Sequence, residues 1–300
     1  MINNSDIPPR WEVIGGKKTV IVCAERRPTY ECKRDWEKAF RKEVQNALRS
    51  LVADKGEMLV AKYGSDAADA IDTENALFYN FAAPVSQSAC YGVAYKTLCP
   101  EEMYLTFHSL GKQGYNHLYI YSLEPIALAP GEERDIEPFV RWTDIPIITM
   151  RIESAAYFFT VMRQNPKCFL VYGHGQMDGD FGVNIRIQSP SKEPFKLTAI
   201  MKPLLDGVIS SFHRLPKDAN VDELTDKSIS LYHTAGEWKG LLIDERNSVL
   251  PPYQYVKPYR RDSLQWSPMD DRCKEARITA NYGADKWSFS GEIYEVFIDS

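Results

Sequence analysis

The chain has 300 residues, 44% of them hydrophobic and 26% charged, with a formal net charge of −5 at pH 7. This composition is typical of a globular protein with a substantial core, and the negative charge argues against a protein that coats nucleic acid nonspecifically. No run approaches about 18 apolar residues, so we expect no membrane partner. The polar N-terminus and six dispersed cysteines without a CxxC pair predict a cytoplasmic protein with reduced thiols.

Hydrophobic periodicity predicts several strands and one long helix in the first part of the chain. The helix is expected over residues 31–52, because Trp36, Phe40 and Val44 recur at spacings that place them on one face. Strands are expected in runs of alternating or β-branched residues between turn signals. They fall, in chain order, at residues 18–24, 58–63, 91–98, 103–108 and 117–122. A polar loop opens at Pro130-Gly131.

In the remainder of the chain, strands are predicted at residues 139–142, 147–152, 168–172, 183–187, 276–281 and 287–298. A short buried helix is expected over residues 154–164, a polar surface segment over 215–234 and an extended, proline-marked crossing over 249–259. No internal repeat is visible. Because strands outnumber helices, the predicted fold class is α+β, with a large mixed or mainly antiparallel sheet flanked by a few helices. We expect one domain over residues 1–300, with a weak subdivision near 125–135.

Residues 195–213 predict a strand that runs directly into a helix. Apolar and polar residues alternate from Phe195 to Met201, except that Ile200 interrupts the polar row, and Pro203 suits the first position of a helix. Lys202 would then lie at the joint and Asp206 near the first helical turn. Lys202 and the free N–H groups of the helix could bind a phosphate, and Asp206 could bind a metal. The alternative is that Lys202 simply pairs with Asp206 at the surface.

A glycine-rich segment at residues 173–182 is predicted to join the strands 168–172 and 183–187 in a hairpin. It carries His174, Asp178 and Asp180, and carboxylates with a histidine suit Mg²⁺ or Mn²⁺ more than structural zinc. In this interpretation His174 positions or activates a water molecule. The alternative is a plain hairpin, for which Asp178-Gly179 alone would supply the turn.

Acidic residues cluster again at residues 66–74. Asp66, Asp69 and Asp72 recur every third residue, so a helix would place them on one face, where a cation or a basic partner would relieve their repulsion. Asp72 and Glu74 are the candidates for a metal ligand or an acid–base group. The alternative is the acidic N-terminus of a helix, capped by Asp72 or Thr73.

Aromatic and basic residues interleave between residues 253 and 261. This composition suits single-stranded nucleic acid, because bases stack on rings and cations hold phosphates. The candidate substrate-binding residues are Tyr255, Lys257, Tyr259, Arg260 and Arg261. The alternative is a proline-rich strap whose tyrosines lie on the core. A further acidic pair, Asp270-Asp271, is less specific, since adjacent side chains in a strand point in different directions and at most one could join a site.

Two functional hypotheses follow from these patterns and from missing motifs. The sequence has no phosphate-binding P-loop, no dinucleotide fingerprint and no α/β-hydrolase, zinc-protease or kinase motif. The first hypothesis is a divalent-metal-dependent enzyme, a hydrolase, acting on a phosphate-bearing substrate such as nucleic acid. Mg²⁺ or Mn²⁺ would be held by Asp72, Glu74 and either Asp178 or Asp180. The second hypothesis is a non-catalytic subunit or binding module with a protein partner in a larger assembly.

Overall fold

A computed structural model describes residues 8–66, 72–81, 85, 88–126, 138–149, 154–172, 177–232, 237–260 and 263–297. The fold is α+β, with helices packed against a large mixed sheet. None of the described helices is both long and apolar enough to cross a membrane.

Twelve strands and six α-helices make up the regular structure of the described residues. The strands are Trp11–Gly15 (β1), Thr19–Ala24 (β2), Glu57–Ser65 (β3), Gly92–Thr97 (β4), His117–Pro125 (β5), Val140–Pro146 (β6), Phe169–Val171 (β7), Asp180–Ser189 (β8), Val256–Tyr259 (β9), Ser263–Trp266 (β10), Cys273–Tyr282 (β11) and Ser288–Val296 (β12). The helices are Asp35–Leu48 (α1), Pro100–Ser109 (α2), Ala155–Gln164 (α3), Leu197–Phe212 (α4), Val221–Tyr232 (α5) and Trp238–Ile243 (α6). Asn75–Tyr79 forms a π-helical turn, and Pro166–Cys168 and Asp270–Arg272 form 3₁₀ turns.

Ten strands form one continuous sheet in the order β1-β2-β5-β3-β4-β11-β8-β12-β6-β7, while β9 and β10 form a separate hairpin. Only the β3–β4 and β8–β11 pairs in the large sheet are parallel. The other neighbouring strands pair antiparallel. The sheet is therefore mixed and mainly antiparallel, which confirms the predicted fold class.

The strand order repeats from one half of the sheet to the other. In the first half β2 pairs with β5 and β5 with β3, both antiparallel, and β3 then pairs with β4 in parallel. In the second half β6, β12, β8 and β11 follow the same order with the same directions. The equivalent strands β4 and β11 pair antiparallel at the centre, as two units related by a two-fold axis would. The chain passes between the halves from β5 to β6, and residues 127–137 of that connection lie outside the described residues.

The two faces of the sheet are covered unequally. On β2, Val20 and Val22 join the main core, in which the buried side chains of α1, α3 and α4 pack. Cys23 points to the other face, where it packs with Met103 and Phe107 of α2. This is the alternation expected of a strand with both faces covered. A further cluster packs α5 and α6 against the β9–β10 hairpin.

Helix α4 occupies most of the stretch predicted as a strand and a helix, so the predicted strand from Phe195 to Lys202 is wrong. The apolar residues follow the helical spacing of three and four along its whole length, and 13 of its 16 residues are buried. Pro203 is an interior residue of α4 and lacks the N–H that would bind the Ala199 carbonyl. Ala199 is exposed, so water can satisfy that carbonyl. Lys202 and Asp206 therefore lie one turn apart in mid-helix rather than at a helix start.

Three other expectations are corrected by the structure. Residues 103–108 belong to helix α2, which begins with a proline at its first position. The strands predicted at 168–172 and 183–187 do not form a hairpin, because β7 pairs with β6 and β8 lies between β11 and β12. Residues 147–149 follow the end of β6 rather than form a strand, and residues 150–152 lie outside the described residues. The surface segment 215–234 contains helix α5.

Gly207 lies where α4 packs against α3. A Cβ atom at this position would lie 2.4 Å from the Ala155 carbonyl oxygen and 2.7 Å from the Phe158 Cβ. The Gly207→Ala substitution should therefore force the helices apart and lower the free energy of unfolding by about 1–3 kcal/mol, the usual cost of overpacking a core. Urea denaturation followed by circular dichroism measures this difference.

Gly240→Ala is the matched control, since a Cβ atom at Gly240 in α6 would meet no atom within 4 Å. The better helix propensity of alanine should leave the stability of this variant unchanged or raise it by up to about 1 kcal/mol. Equal losses in the two variants would contradict the close approach of α3 and α4.

Candidate functional site

Four carboxylates surround the side-chain ammonium of Lys202. Its Nζ atom lies 2.5 Å from Asp270 Oδ2, 3.0 Å from Asp206 Oδ1, 3.4 Å from Asp72 Oδ2 and 3.5 Å from Glu74 Oε2. We call these five residues the Lys202 cluster. The Lys202 side chain keeps 34% of its exposure, while those of Glu74 and Asp206 keep 8% and 9%. The cluster is thus mostly buried but open to solvent on the side of the lysine.

The first two carboxylates come from the segment that follows β3. Asp72 Oδ1 accepts a hydrogen bond from the Asn75 N–H at 3.1 Å, which holds this carboxylate at the start of the helical turn. The Thr73 and Thr97 hydroxyls are 2.7 Å apart and fasten the segment to the end of β4. Glu74 follows Thr73 directly and precedes the turn Asn75–Tyr79, whose residues 76–78 are buried in the core.

The other three groups come from the second half of the sheet. Lys202 and Asp206 are four residues apart on α4 and therefore lie on the same face of that helix. Asp270 lies in the 3₁₀ turn that leads into β11. Since β4 and β11 are neighbours at the centre of the sheet, the cluster forms where the two halves meet. In each half, the segment that contributes to the cluster connects the two parallel strands in the sequence, β3 to β4 in the first half and β8 to β11 in the second.

The cluster has more negative charge than its surroundings favour. Four carboxylates and one ammonium carry a net charge of −3 when all five groups are ionised. Burial, with repulsion from the neighbouring acids, raises the pKa of Glu74 to about 8 and that of Asp206 to about 7, although Lys202 opposes both shifts. Burial also raises the pKa of Asp72, and Asp270 adds to that shift. The carboxyl groups of Glu74 and Asp206 therefore each titrate near neutral pH.

The same surroundings stabilise the charged form of Lys202, whereas they disfavour the charged forms of the acids. Burial alone would lower the pKa of its ammonium, but attraction to the four carboxylates outweighs burial and raises it above the usual value. Lys202 is therefore a permanent cation in this setting. It could not act as a neutral base or nucleophile while the carboxylates remain around it.

The structure brings together only part of the predicted metal and catalytic set. Asp72, Glu74, Asp206 and Lys202 meet in the cluster. The predicted ligands Asp178 and Asp180 do not join them, because Asp178 is exposed and Asp180, at the start of β8, lies 3.9 Å from the basic side chains of the Arg272–Lys274 segment. His174 lies outside the described residues.

Asp270 is the functional candidate that the sequence did not single out. In the sequence it belongs only to an acidic pair of low specificity. The 3₁₀ turn that places its carboxylate beside Lys202 has no periodic pattern of residues from which it could be predicted. The adjacent Asp271 has no ion pair with Lys202 among the described residues. The sequence expectation that at most one of the two acids would join a site assumed a strand, whereas both acids lie in a 3₁₀ turn.

The oxygen atoms of the cluster surround an ammonium rather than a vacant position. Among the described residues, no group of three or more His, Cys, Asp or Glu side chains is arranged so that it could hold a metal ion as it stands. A cation could bind to these carboxylates only with a shift of Lys202. The partial exposure of the lysine allows such a shift.

The interleaved aromatic and basic segment is only partly available to a ligand. Tyr255 is fully buried, and its ring packs among Phe159 and Trp266, so it cannot stack on a base. Tyr259 is 46% exposed, and the Arg260 guanidinium lies 5.2 Å from the centre of its ring. Lys257 is exposed, and Arg261 lies outside the described residues. The surface that remains consists of Lys257, Tyr259 and Arg260.

Replacement of Glu74 by glutamine should change how stability depends on pH. Because the pKa of Glu74 is raised from its usual 4.5 to about 8, the folded protein holds this proton more tightly than the unfolded chain. The stability from this group is fully present below about pH 4.5 and is lost as the pH rises through 8. Glu74→Gln keeps the shape of the protonated acid but cannot titrate.

Urea denaturation between pH 5 and 8, with a chelator present, measures the effect. The wild-type protein should lose at least ~1 kcal/mol more stability over this range than Glu74→Gln, since one unit of pKa shift corresponds to about 1.4 kcal/mol. The exposed Glu193→Gln substitution should follow the wild-type curve. Parallel curves for wild type and Glu74→Gln would show that Glu74 does not hold a proton in the folded state.

The chemistry of the Lys202 cluster is the basis for a functional hypothesis. It combines a permanently charged ammonium, two carboxyl groups that titrate near neutral pH and two further carboxylates at the border of the core. No protein-family model matches the chain, and no curated protein is significantly similar to it in sequence.

Proposed function

We propose that the protein is a divalent-metal-dependent enzyme, a hydrolase, that acts on a phosphate-bearing substrate at the Lys202 cluster. The observation that carries the proposal is the convergence of four carboxylates within 3.5 Å of one ammonium, which leaves an excess of three negative charges when all are ionised. An excess of this size in a mostly buried place is unfavourable unless protons or cations compensate it. Carboxylate oxygens are the ligands that Mg²⁺ and Mn²⁺ prefer.

In this proposal the metal ligands are drawn from Asp72, Glu74, Asp206 and Asp270. Lys202 moves outward when the metal enters, along the side where its chain is already exposed. There its ammonium can bind a phosphate oxygen as a point charge. Arg272 and Lys274 follow Asp270 in the chain and are partly exposed, so they add positive charge for a phosphate.

A bound divalent cation would supply an activated water molecule and would stabilise charge on the phosphate. The side chains of the cluster would handle protons. Glu74 and Asp206 titrate near neutral pH without a metal, and a carboxylate that binds the cation gives up its proton. A proton would therefore be taken from a water molecule, or given to a leaving group, only by the one of them that is not bound to the metal. Among phosphate-bearing substrates, the exposed Lys257, Tyr259 and Arg260 favour single-stranded nucleic acid. The described cysteines form no disulfide with one another, which supports a cytoplasmic location.

Metal titration is the first test. In calorimetry at pH 7, the wild-type protein should bind Mn²⁺ with release of about one proton, because the metal displaces the proton of a carboxyl group whose pKa lies above 7. Titrations in two buffers of different ionisation enthalpy give the proton number. Asp206→Asn should weaken binding by at least about tenfold, the loss usually seen even for residues that only support a metal ligand.

Asp222→Asn is the matched control, since Asp222 also pairs with a lysine, at 2.8 Å, but is 79% exposed. Its Mn²⁺ affinity should equal that of the wild type. Absence of saturable binding to the wild type, or equal affinity in Asp206→Asn, would rule out the metal site. If Mn²⁺ binds but no phosphomonoester, phosphodiester or single-stranded oligonucleotide is hydrolysed, the catalytic part of the proposal is wrong.

A second candidate function, a subunit with a protein partner, is favoured by the edge strand β7. Among the described strands β7 pairs only with β6, so its other edge is open. The successive residues Leu170, Val171 and Tyr172 are 58%, 46% and 38% exposed. An open edge with apolar side chains is a common place for a partner to add a strand.

Light scattering coupled to size-exclusion chromatography tests this second function. A protein with a partner subunit should elute from its native source as a stoichiometric complex, and Leu170→Lys should release the partner without unfolding. Val52→Lys, at another residue that is 54% exposed, should leave the complex intact. A wild-type protein that elutes alone as a monomer would contradict the subunit function.

A further inference from the structure

A cavity lies at the opposite end of the central strands β4 and β11 from the Lys202 cluster. Strand β11 begins just after the turn that carries Asp270 and ends at Tyr282, which lines the cavity. Its ten residues span about 30 Å at the usual rise of a strand. Tyr91 lines the same cavity just before β4, whose far end lies beside the cluster. The cavity is therefore a separate place on the molecule.

The charged side chains that line this cavity are basic. The cavity has a volume of about 520 Å³, a size common for small-molecule sites. Lys55 and Lys192 line it, and none of its described lining residues is an aspartate or glutamate. Within the described residues neither lysine has a carboxylate within ion-pair distance, and Asp54 and Glu57, which flank Lys55, both pair with Lys18. The two positive charges at the cavity therefore have no counter-charge among the described residues.

Two aromatic rings form an apolar wall of the cavity. Tyr91 and Tyr282 meet edge to face, with their ring centres 6.1 Å apart. The Tyr282 hydroxyl donates a hydrogen bond to the Cys90 carbonyl oxygen and accepts one from the Phe195 N–H at 3.3 Å. These bonds fix the Tyr282 ring, so a flat ligand would meet a surface that is already ordered.

The backbone at the cavity is also accessible. Gly56 and Gly283 line it with φ values of +94° and +86°, and a Cβ atom at either position would meet no atom within 4 Å. Glycine leaves room for a ligand to approach the chain there. The cavity beside Arg163 differs, because Glu237 and Asp244 line it together with the arginines, so its charges are balanced.

We propose that the cavity between Lys55, Lys192, Tyr91 and Tyr282 binds a small ligand that carries both an aromatic ring and a phosphate, the chemical class of a nucleoside monophosphate. The two lysines bind the phosphate oxygens. The aromatic ring packs against the tyrosine wall, a contact that tolerates different bases because every base has a flat face. This site is independent of the function proposed for the Lys202 cluster.

Equilibrium binding of AMP, GMP, CMP and UMP to the full chain, in a metal-free buffer, tests the proposal. At least one mononucleotide should bind saturably with a stoichiometry of one, and at least about tenfold more tightly than the matching nucleoside or inorganic phosphate, because each lacks one half of the interaction. The double variant Lys55→Ala/Lys192→Ala should weaken binding at least about tenfold. Tyr91→Leu, which keeps an apolar side chain, should weaken it roughly 5- to 150-fold.

Two control variants separate this site from other surfaces. Lys42→Ala/Lys217→Ala removes two exposed lysines that do not line the cavity and should leave affinity unchanged, as should Asp206→Asn in the Lys202 cluster. Failure of all four mononucleotides to bind, or binding only of longer oligonucleotides, would overturn the proposal. So would an equal loss of affinity in either control, which would place the ligand elsewhere. Circular dichroism confirms that each variant is folded.

Discussion

The burial of Lys202 among four carboxylates is the interaction on which the centre of this structure depends. Helix α4 is enclosed on nearly all sides, so a carboxylate on it, Asp206, has to be neutralised inside the protein. Lys202, one turn earlier, supplies the charge, and the segments at Asp72 and Asp270 reach the same ammonium. Three segments that are distant in sequence are thereby held together. Loss of the lysine alone would leave four acids facing each other, which is far more costly than loss of an exposed ion pair.

The repeated strand order explains why the cluster lies at the centre of the sheet. In each half, the connection between the two parallel strands returns to the seam where β4 and β11 pair. A parallel pair requires such a crossover, which leaves one end of the pair and returns at the other. The first crossover contributes Asp72 and Glu74 just after β3, and the second contributes Asp270 just before β11; these two places are adjacent because β4 and β11 are antiparallel. The two crossovers are not equivalent in chemistry: the short first one brings Asp72 and Glu74, whereas the long second one brings the lysine with two acids. Although the two halves have the same topology, their crossovers carry different charged residues, and these residues together form the Lys202 cluster.

The sequence predicts strands better than it predicts which of them are neighbours. Strands β2 and β3 contain nearly continuous apolar runs, and the predicted positions coincide with them. The predicted position of β12 also coincides with the strand, although its alternation is only partial. Helix α4 was misread at its start because Phe195, Leu197 and Met201 satisfy a period of two, while the same region satisfies the helical period over a longer length. The convergence of Asp72, Glu74, Lys202 and Asp206 is a tertiary property that spacing alone does not encode, and Asp270 has no local pattern at all. Tyr255 shows the converse case: composition suggested a surface ring, and packing placed it in a core.

The protons of the cluster explain how the same five residues can be stable without a cation, and they determine what the proposed binding of a cation would require. When Glu74 and Asp206 are protonated, the net charge falls from −3 to −1, and the ammonium is then balanced by Asp72 and Asp270 with one charge in excess. The raised pKa values of Glu74 and Asp206, about 8 and 7, place this change at neutral pH. Four permanently ionised carboxylates would repel one another, and four permanently protonated carboxyl groups would not attract a cation. In the proposed function, entry of a cation would therefore be coupled to release of protons, and the net charge of the buried site would remain nearly constant.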